Sequence, residues 1–183
     1  MSLTKYVALL RGVNVGGNNK IDMRALKAAF ERRGFQKVVT YINSGNLVFE
    51  GDLDELSAKA ACEELIRAEF NLDIGAGIIP AAELTEVLRH APDWWGSDPD
   101  AKHNAIFVIP PMTAAEICAR VDETRPECER TGYYGRVVFW TAPPDTYSPE
   151  RLSKLVKGKA MRDAITIRNA NTVKKLAELA EKG

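Results

Sequence analysis

The order of apolar periods constrains this chain most, because the same series of elements is predicted twice. In the first half, a strand at Lys5–Leu10 leads into a helix from Met23 to Arg33. Strands at Lys37–Ile42 and Leu47–Glu50, a helix from Asp54 to Phe70, a strand at Asp73–Ile79 and a helix opened by Pro80 follow. The second half begins with a strand at His103–Ile109 and a helix started by the Thr113/Glu116 capping box. Strands at Glu127–Arg130 and Arg136–Trp140 come next, joined by the turn Thr131–Gly135. A helix capped by Ser148, opened by Pro149 and stopped at Gly158 then carries Leu152, Leu155 and Val156. A strand at Ala164–Ile167 and a last helix, capped by Asn169 or Asn171, end the chain. Each half is β-α-β-β-α-β plus a helix, the ferredoxin-like order. The expected fold is therefore α+β, with two ferredoxin-like subdomains related by duplication, residues 1–92 and 93–183. The break is placed in Ala91–Lys102, where Pro92, Gly96 and Pro99 punctuate the chain around Trp94-Trp95.

Local signals support the elements. Asp22 is a natural N-cap, Ile21 and Leu26 can staple the helix start, and Gly34 can stop it. Met23, Leu26 and Phe30 share one helical face, as do Cys62, Leu65 and Ile66, and Ala114, Ile117, Cys118 and Val121. Phe49 and Trp140 are assigned to the core.

With 183 residues the chain can bury a substantial core. Lys plus Arg equals Asp plus Glu at 25 each, so bulk attraction to nucleic acid or to an anionic membrane is not expected. The three cysteines, Cys62, Cys118 and Cys128, form no C-x-x-C pair and have no histidine at metal-ligand spacing. Cys62 and Cys118 fall on apolar helix faces; Cys128 falls in an expected strand among charged neighbours. The longest N-terminal apolar run, Tyr6–Leu10, is too short for a signal peptide or a membrane span. A cytoplasmic protein with no metal, no membrane association and no specified cofactor is expected.

Two polar clusters carry the functional expectation. Arg11-Gly-Val-Asn-Val-Gly-Gly-Asn-Asn-Lys20 leaves the first strand through three glycines and three asparagines, residues that tolerate positive φ. In the expected topology it meets the hairpin Asn43-Ser44-Gly45-Asn46. Arg11, Asn14, Lys20, Asn43, Ser44 and Asn46 are thus candidate anion contacts, although tight turns demand the same residue types. A Walker A loop is excluded, because Asn18 and Asn19 stand where Lys and Ser/Thr are required, and G-x-G-x-x-G is absent. In the second half the start of the first strand meets the end of the last. This brings Lys102, His103 and Asn104 toward Arg168, Asn169, Asn171 and Thr172, at a helix N-terminus suited to an anion, with Trp94 and Trp95 upstream. His103, Arg168, Asn169 and Asn171 are the second candidate contact set. His103 is a candidate acid or base with no nucleophile or carboxylate beside it in sequence, and no catalytic constellation is assigned.

Four stretches carry a family resemblance: Tyr6–Gly17, Thr40–Phe49, Lys102-His-Asn104 and Thr166-Ile-Arg-Asn-Ala-Asn-Thr172. Together they resemble a bacterial family known as domain of unknown function 1697. Members commonly carry Trp where Ala170 stands, so an aromatic contact is missing at the second cluster. The resemblance implies a two-subdomain α+β fold and no activity, since none is established for the family. The expected partner is a small anionic ligand, a nucleotide or other phosphate compound. The alternatives are a nucleic-acid-binding module, which lacks the aromatic pattern of an RNA-recognition strand, and a protein-interaction domain.

Overall fold

The computed structural model describes residues 3–124, 126–148, 154 and 157–182. The chain divides into two compact units, one of residues 1–85 with 175–183 and one of residues 86–174. The fold is mixed α+β, and the described residues contain two four-stranded antiparallel sheets.

The first sheet is built from β1 (Thr4–Leu10), β2 (Gln36–Tyr41), β3 (Asn46–Gly51) and β4 (Ala76–Pro80), in the order β2-β3-β1-β4. α1 (Met23–Arg32) follows β1, α2 (Glu55–Phe70) follows β3, and α3 (Ala81–Arg89) follows β4. β1 is central, pairing Tyr6 with Phe49 on one side and Ala8 with Ile78 on the other. Its alternate residues Tyr6, Ala8 and Leu10 join Leu47 and Phe49 in a core with Leu26 and Phe30 of α1 and Cys62, Leu65 and Ile66 of α2. Phe30, Phe35 and Phe49 meet edge to face or tilted within it, with centroids 4.7–5.5 Å apart. Val7 and Leu9, on the opposite face, are also buried, which explains the uninterrupted apolar run. Burial pushes the Cys62 thiol up to about 12, leaving a packing residue and not a nucleophile. The expected cap forms at Asp22, which accepts from the Ala25 amide at 2.8 Å, and Asp54, expected inside its helix, is likewise an N-cap, accepting from the Ser57 amide at 2.7 Å.

The second sheet contains β5 (Lys102–Val108), β6 (Arg130–Tyr134), β7 (Val137–Ala142) and β8 (Ile165–Asn169), in the order β6-β7-β5-β8. α4 (Ala114–Thr124) packs Ile117, Cys118 and Val121 on Ile106, Val138 and Trp140. Its capping box is reciprocal, with Thr113 N donating to Glu116 Oε2 at 2.8 Å and Glu116 N to Thr113 Oγ1 at 3.3 Å. α5 (Lys159–Ala164) precedes β8, and α6 (Ala170–Glu181) follows it. Trp140 is fully buried, and its indole N–H donates to the buried Glu129 carboxylate at 3.0 Å.

Three sequence expectations need correction. β6 lies at Arg130–Tyr134 and not at Glu127–Arg130, and it closes on β7 through the two-residue turn Gly135-Arg136 with Gly135 at φ +56°. Cys128 is consequently in a turn, where it is exposed. A short helix, α5, follows Gly158, which sits at φ +89° as its N-cap; this helix was not expected. The helix expected over Leu152, Leu155 and Val156 lies on residues outside the described set.

The hairpin between β2 and β3 depends on Gly45. The residue sits at φ +76°, and a Cβ there would lie 2.8 Å from Leu10 Cβ and 3.0 Å from Val13 Cβ. Gly45→Ala combines a left-handed backbone with overpacking against two fully buried neighbours. It is expected to destabilise the protein by about 2–4 kcal/mol in urea unfolding.

Candidate functional site

At the end of β1 the chain leaves the sheet between two backbones. Leu10 N donates to Gly45 O at 2.8 Å and Arg11 N to Gly75 O at 3.0 Å. The Gly/Asn loop then folds on itself. Val15 and Asn18 form a bridge around Gly16-Gly17, both at positive φ, which is the requirement of a tight type I′ turn. Asn14, at φ +55°, ties this loop to its surroundings. Its amide donates to Ile21 O at 2.9 Å and to Asn43 O at 2.7 Å, and its side-chain oxygen accepts from Ile21 N at 2.9 Å. Asn46 is buried and donates to Tyr41 O and Ser44 Oγ. Arg11 is half-buried, with its guanidinium over Gly75, where a Cβ would stand 2.5 Å from Nη2. Asn14, Lys20 and Asn43 line an open 460 Å³ depression with Gly17 and Asp22; Arg11, Ser44 and Asn46 are not among its lining residues.

The second cluster converges differently. β5 pairs Asn104 with Asn169 and Ala105 with Arg168, so the start of β5 and the end of β8 lie side by side where α6 begins. Lys102, His103, Asn104, Arg168, Asn169 and Asn171 all line one cleft of 640 Å³, closed further by Gly96, Asp98 and Tyr147. Asn169 caps α6, its Oδ1 accepting from Thr172 N at 2.8 Å, so Asn171 is left at the exposed first turn. Arg168 donates from Nη1 to Thr166 Oγ1 at 3.0 Å and to Ile167 O at 2.9 Å. Burial lowers its pKa to about 10, so it stays cationic at neutral pH in a setting that disfavours the charge. His103 has both ring nitrogens engaged: Nδ1 lies 2.7 Å from Thr141 Oγ1 and Nε2 lies 2.7 Å from Asp98 O. A carbonyl only accepts, so Nε2 carries a proton and His103 acts as a strut between β7 and the 98–101 segment.

Trp94 and Trp95 do not both close over the cluster. Trp95 is buried, edge-on to Phe139 at 5.0 Å, with its indole N–H donating to Asn104 O at 2.8 Å. Trp94 stands beside Gly132 of β6, whose Cβ position is 3.6 Å from its ring. The sequence did not point to Lys174, which stands one turn into α6 with its ammonium 5.6 Å from the centre of the Trp95 ring. Spacing of four from Ala170 was the only signal for it. Among the described residues, no group of three or more His, Cys, Asp or Glu side chains is arranged to hold a metal ion. No helix among them is long and apolar enough to cross a membrane.

The model of a family described as "Protein of unknown function (DUF1697)" matches residues 3–139. The chain belongs to this family. The matched span includes both loops of the first cluster and the start of β5, and it ends before β8. A conserved bacterial protein, SP0830 from Streptococcus pneumoniae, has a similar structure over 98% of this chain and 99% of its own. Its TM-score is 0.79 and its sequence identity 28%. Protein BT0572 from Bacteroides thetaiotaomicron aligns over 94% of this chain and 96% of its own at 8% identity, with a TM-score of 0.23 that carries no argument. No curated protein matches the sequence.

The three hydrogen bonds of Asn14 replace strand pairing for a segment that has left the sheet. Asn14→Ala removes all three, and alanine tolerates φ > 0 less well than asparagine. A loss of ~2–3 kcal/mol is expected, with faster exchange of the Ile21 amide in hydrogen-exchange NMR.

Proposed function

We propose that this protein binds a small anionic ligand, a nucleotide or other phosphate compound, in the cleft at the start of β5 and the end of β8. The observation that carries this reading is the convergence of Lys102, Arg168, Asn169 and Asn171 on one 640 Å³ cleft at the N-terminus of α6. Lys102 lies more than sixty positions from the other three in sequence, so local turn chemistry does not explain its meeting with them. Such a volume suits a mononucleotide-sized ligand. The donors present are of the kind that hold phosphate: a guanidinium, an ammonium, side-chain amides and the amides of a helix start.

The first cluster has a smaller part in this reading. Asn14 and Asn46 are engaged in holding the loop and the hairpin, which favours a structural role for them. Arg11, Lys20, Asn43 and Ser44 remain candidates for a second contact set. The reading retains a ferredoxin-like duplication, supported by the matching strand orders β2-β3-β1-β4 and β6-β7-β5-β8. It also retains a cytoplasmic location, supported by three free cysteines.

A thermal-shift panel of nucleotides, phosphorylated metabolites and inorganic phosphate tests the ligand. A binder at a hundred times its Kd should stabilise the folded chain by about 2.7 kcal/mol, visible as a rise of several degrees in Tm. Lys102 is exposed, so Lys102→Met should leave the unliganded Tm unchanged while weakening the shift. A panel in which no anion raises the wild-type Tm would sink the proposal.

A further inference from the structure

Gly96 lines the cleft at φ +78°, and the space its missing side chain would fill is already occupied. A Cβ there would lie 2.5 Å from Lys174 Nζ, 3.3 Å from Lys174 Cε and 3.8 Å from Ala170 Cβ. Ala170 is itself a cleft residue, so the Lys174 ammonium and the cleft wall meet at one point. Only glycine lets the ammonium approach the backbone there. On its other side the same ammonium lies over the Trp95 ring, while the side chain as a whole is exposed. A cation resting on an aromatic face at an exposed position is loosely held and free to follow a stronger partner.

Two cations line the cleft and a third, Lys174, stands beside its wall at Gly96; the three come from three elements. Lys102 begins β5, Arg168 lies near the end of β8, and Lys174 projects from α6 one turn beyond the helix start. Four residues of helix separate Ala170 from Lys174 by ~6 Å of rise, so the third cation is displaced from the helix N-terminus along the axis. A ligand with one charged group satisfies Arg168, Lys102 and the helix start, and leaves Lys174 on Trp95. A ligand with two linked charged groups reaches both positions.

We propose that Lys174 is a specificity-determining residue of this cleft, and that the ligand class it selects is a diphosphate, free or as part of a larger molecule, over a monophosphate. This rests on the reading of the cleft as an anion site. Gly96 and Trp95 hold the ammonium at the wall, and the second phosphate draws it off the ring.

Isothermal titration of the full-length protein with inorganic phosphate and with pyrophosphate tests this. Wild type should bind pyrophosphate about tenfold or more tightly than phosphate, the worth of one added charged hydrogen bond. In Lys174→Met the ratio of the two affinities should fall toward one, and in Lys174→Arg it should be retained. Lys102→Met should weaken both ligands, placing them in the same cleft. Equal affinities in wild type, or an unchanged ratio in Lys174→Met with its Tm intact, would overturn the role of Lys174 while the cleft remains an anion site. Binding of neither probe also overturns it, and the nucleotide panel then decides whether the anion site itself falls.

Discussion

The backbone pairing of the two central strands governs what can surround them. β1 and β5 are each bonded on both sides, so whatever follows them must leave the sheet between two neighbouring backbones. In the first unit those neighbours are Gly45 and Gly75, which receive the amides of Leu10 and Arg11. In the second the same two steps recur, with Val108 N donating to Arg136 O at 2.8 Å and Ile109 N to Ala164 O at 2.6 Å. The frame is therefore repeated down to single hydrogen bonds, although the residues that make it differ. Glycine is needed at position 45, at φ +76°, because Leu10 and Val13 fill the space above it, and at position 75 its missing side chain leaves room for the Arg11 guanidinium.

That repeated frame separates the two polar clusters. The Gly/Asn loop leaves the C-terminal end of β1, and its counterpart after β5 is Ile109-Pro110-Pro111-Met112, which carries none of the same polar residues. The cleft of the second unit lies at the other end of its central strand, where β5 begins. The two clusters stand at opposite ends of corresponding strands, and they use their side chains differently. Asn14 and Asn46 direct theirs at backbone groups of the loop and hairpin. Around the cleft, Asn169 caps a helix and His103 braces a strand, while Lys102 and Asn171 project exposed into the space.

Much of the architecture was legible because its causes are local. Asp22 and the Thr113/Glu116 pair announce helix starts within four residues, and each forms the bond its spacing implies. β6 was misplaced because Arg130-Thr-Gly-Tyr-Tyr134 has no apolar alternation; it is an edge strand, and Gly132 is packed by Pro92 and Trp94 from far along the chain. α5 escaped notice because six residues are too few for a helical period to register. The placing of His103 and Arg168 on one cleft followed from topology alone. The engagement of both His103 nitrogens and the placement of Lys174 against Gly96 did not, because both depend on tertiary contacts that no spacing encodes.

Asparagine and glycine make loops and bind anions for the same reason: both leave backbone amides and short polar side chains accessible in left-handed conformations. Sequence therefore cannot separate the two uses, but hydrogen-bond bookkeeping can. Where a side chain's donors and acceptors are matched by the loop it belongs to, as with Asn14, the polarity is explained without a ligand. Around the cleft, Lys102 and Asn171 are exposed and come from distant parts of the chain, so no single turn accounts for their standing together. The chemistry of this protein is thus sought at the start of β5, although its most conspicuous loop follows β1.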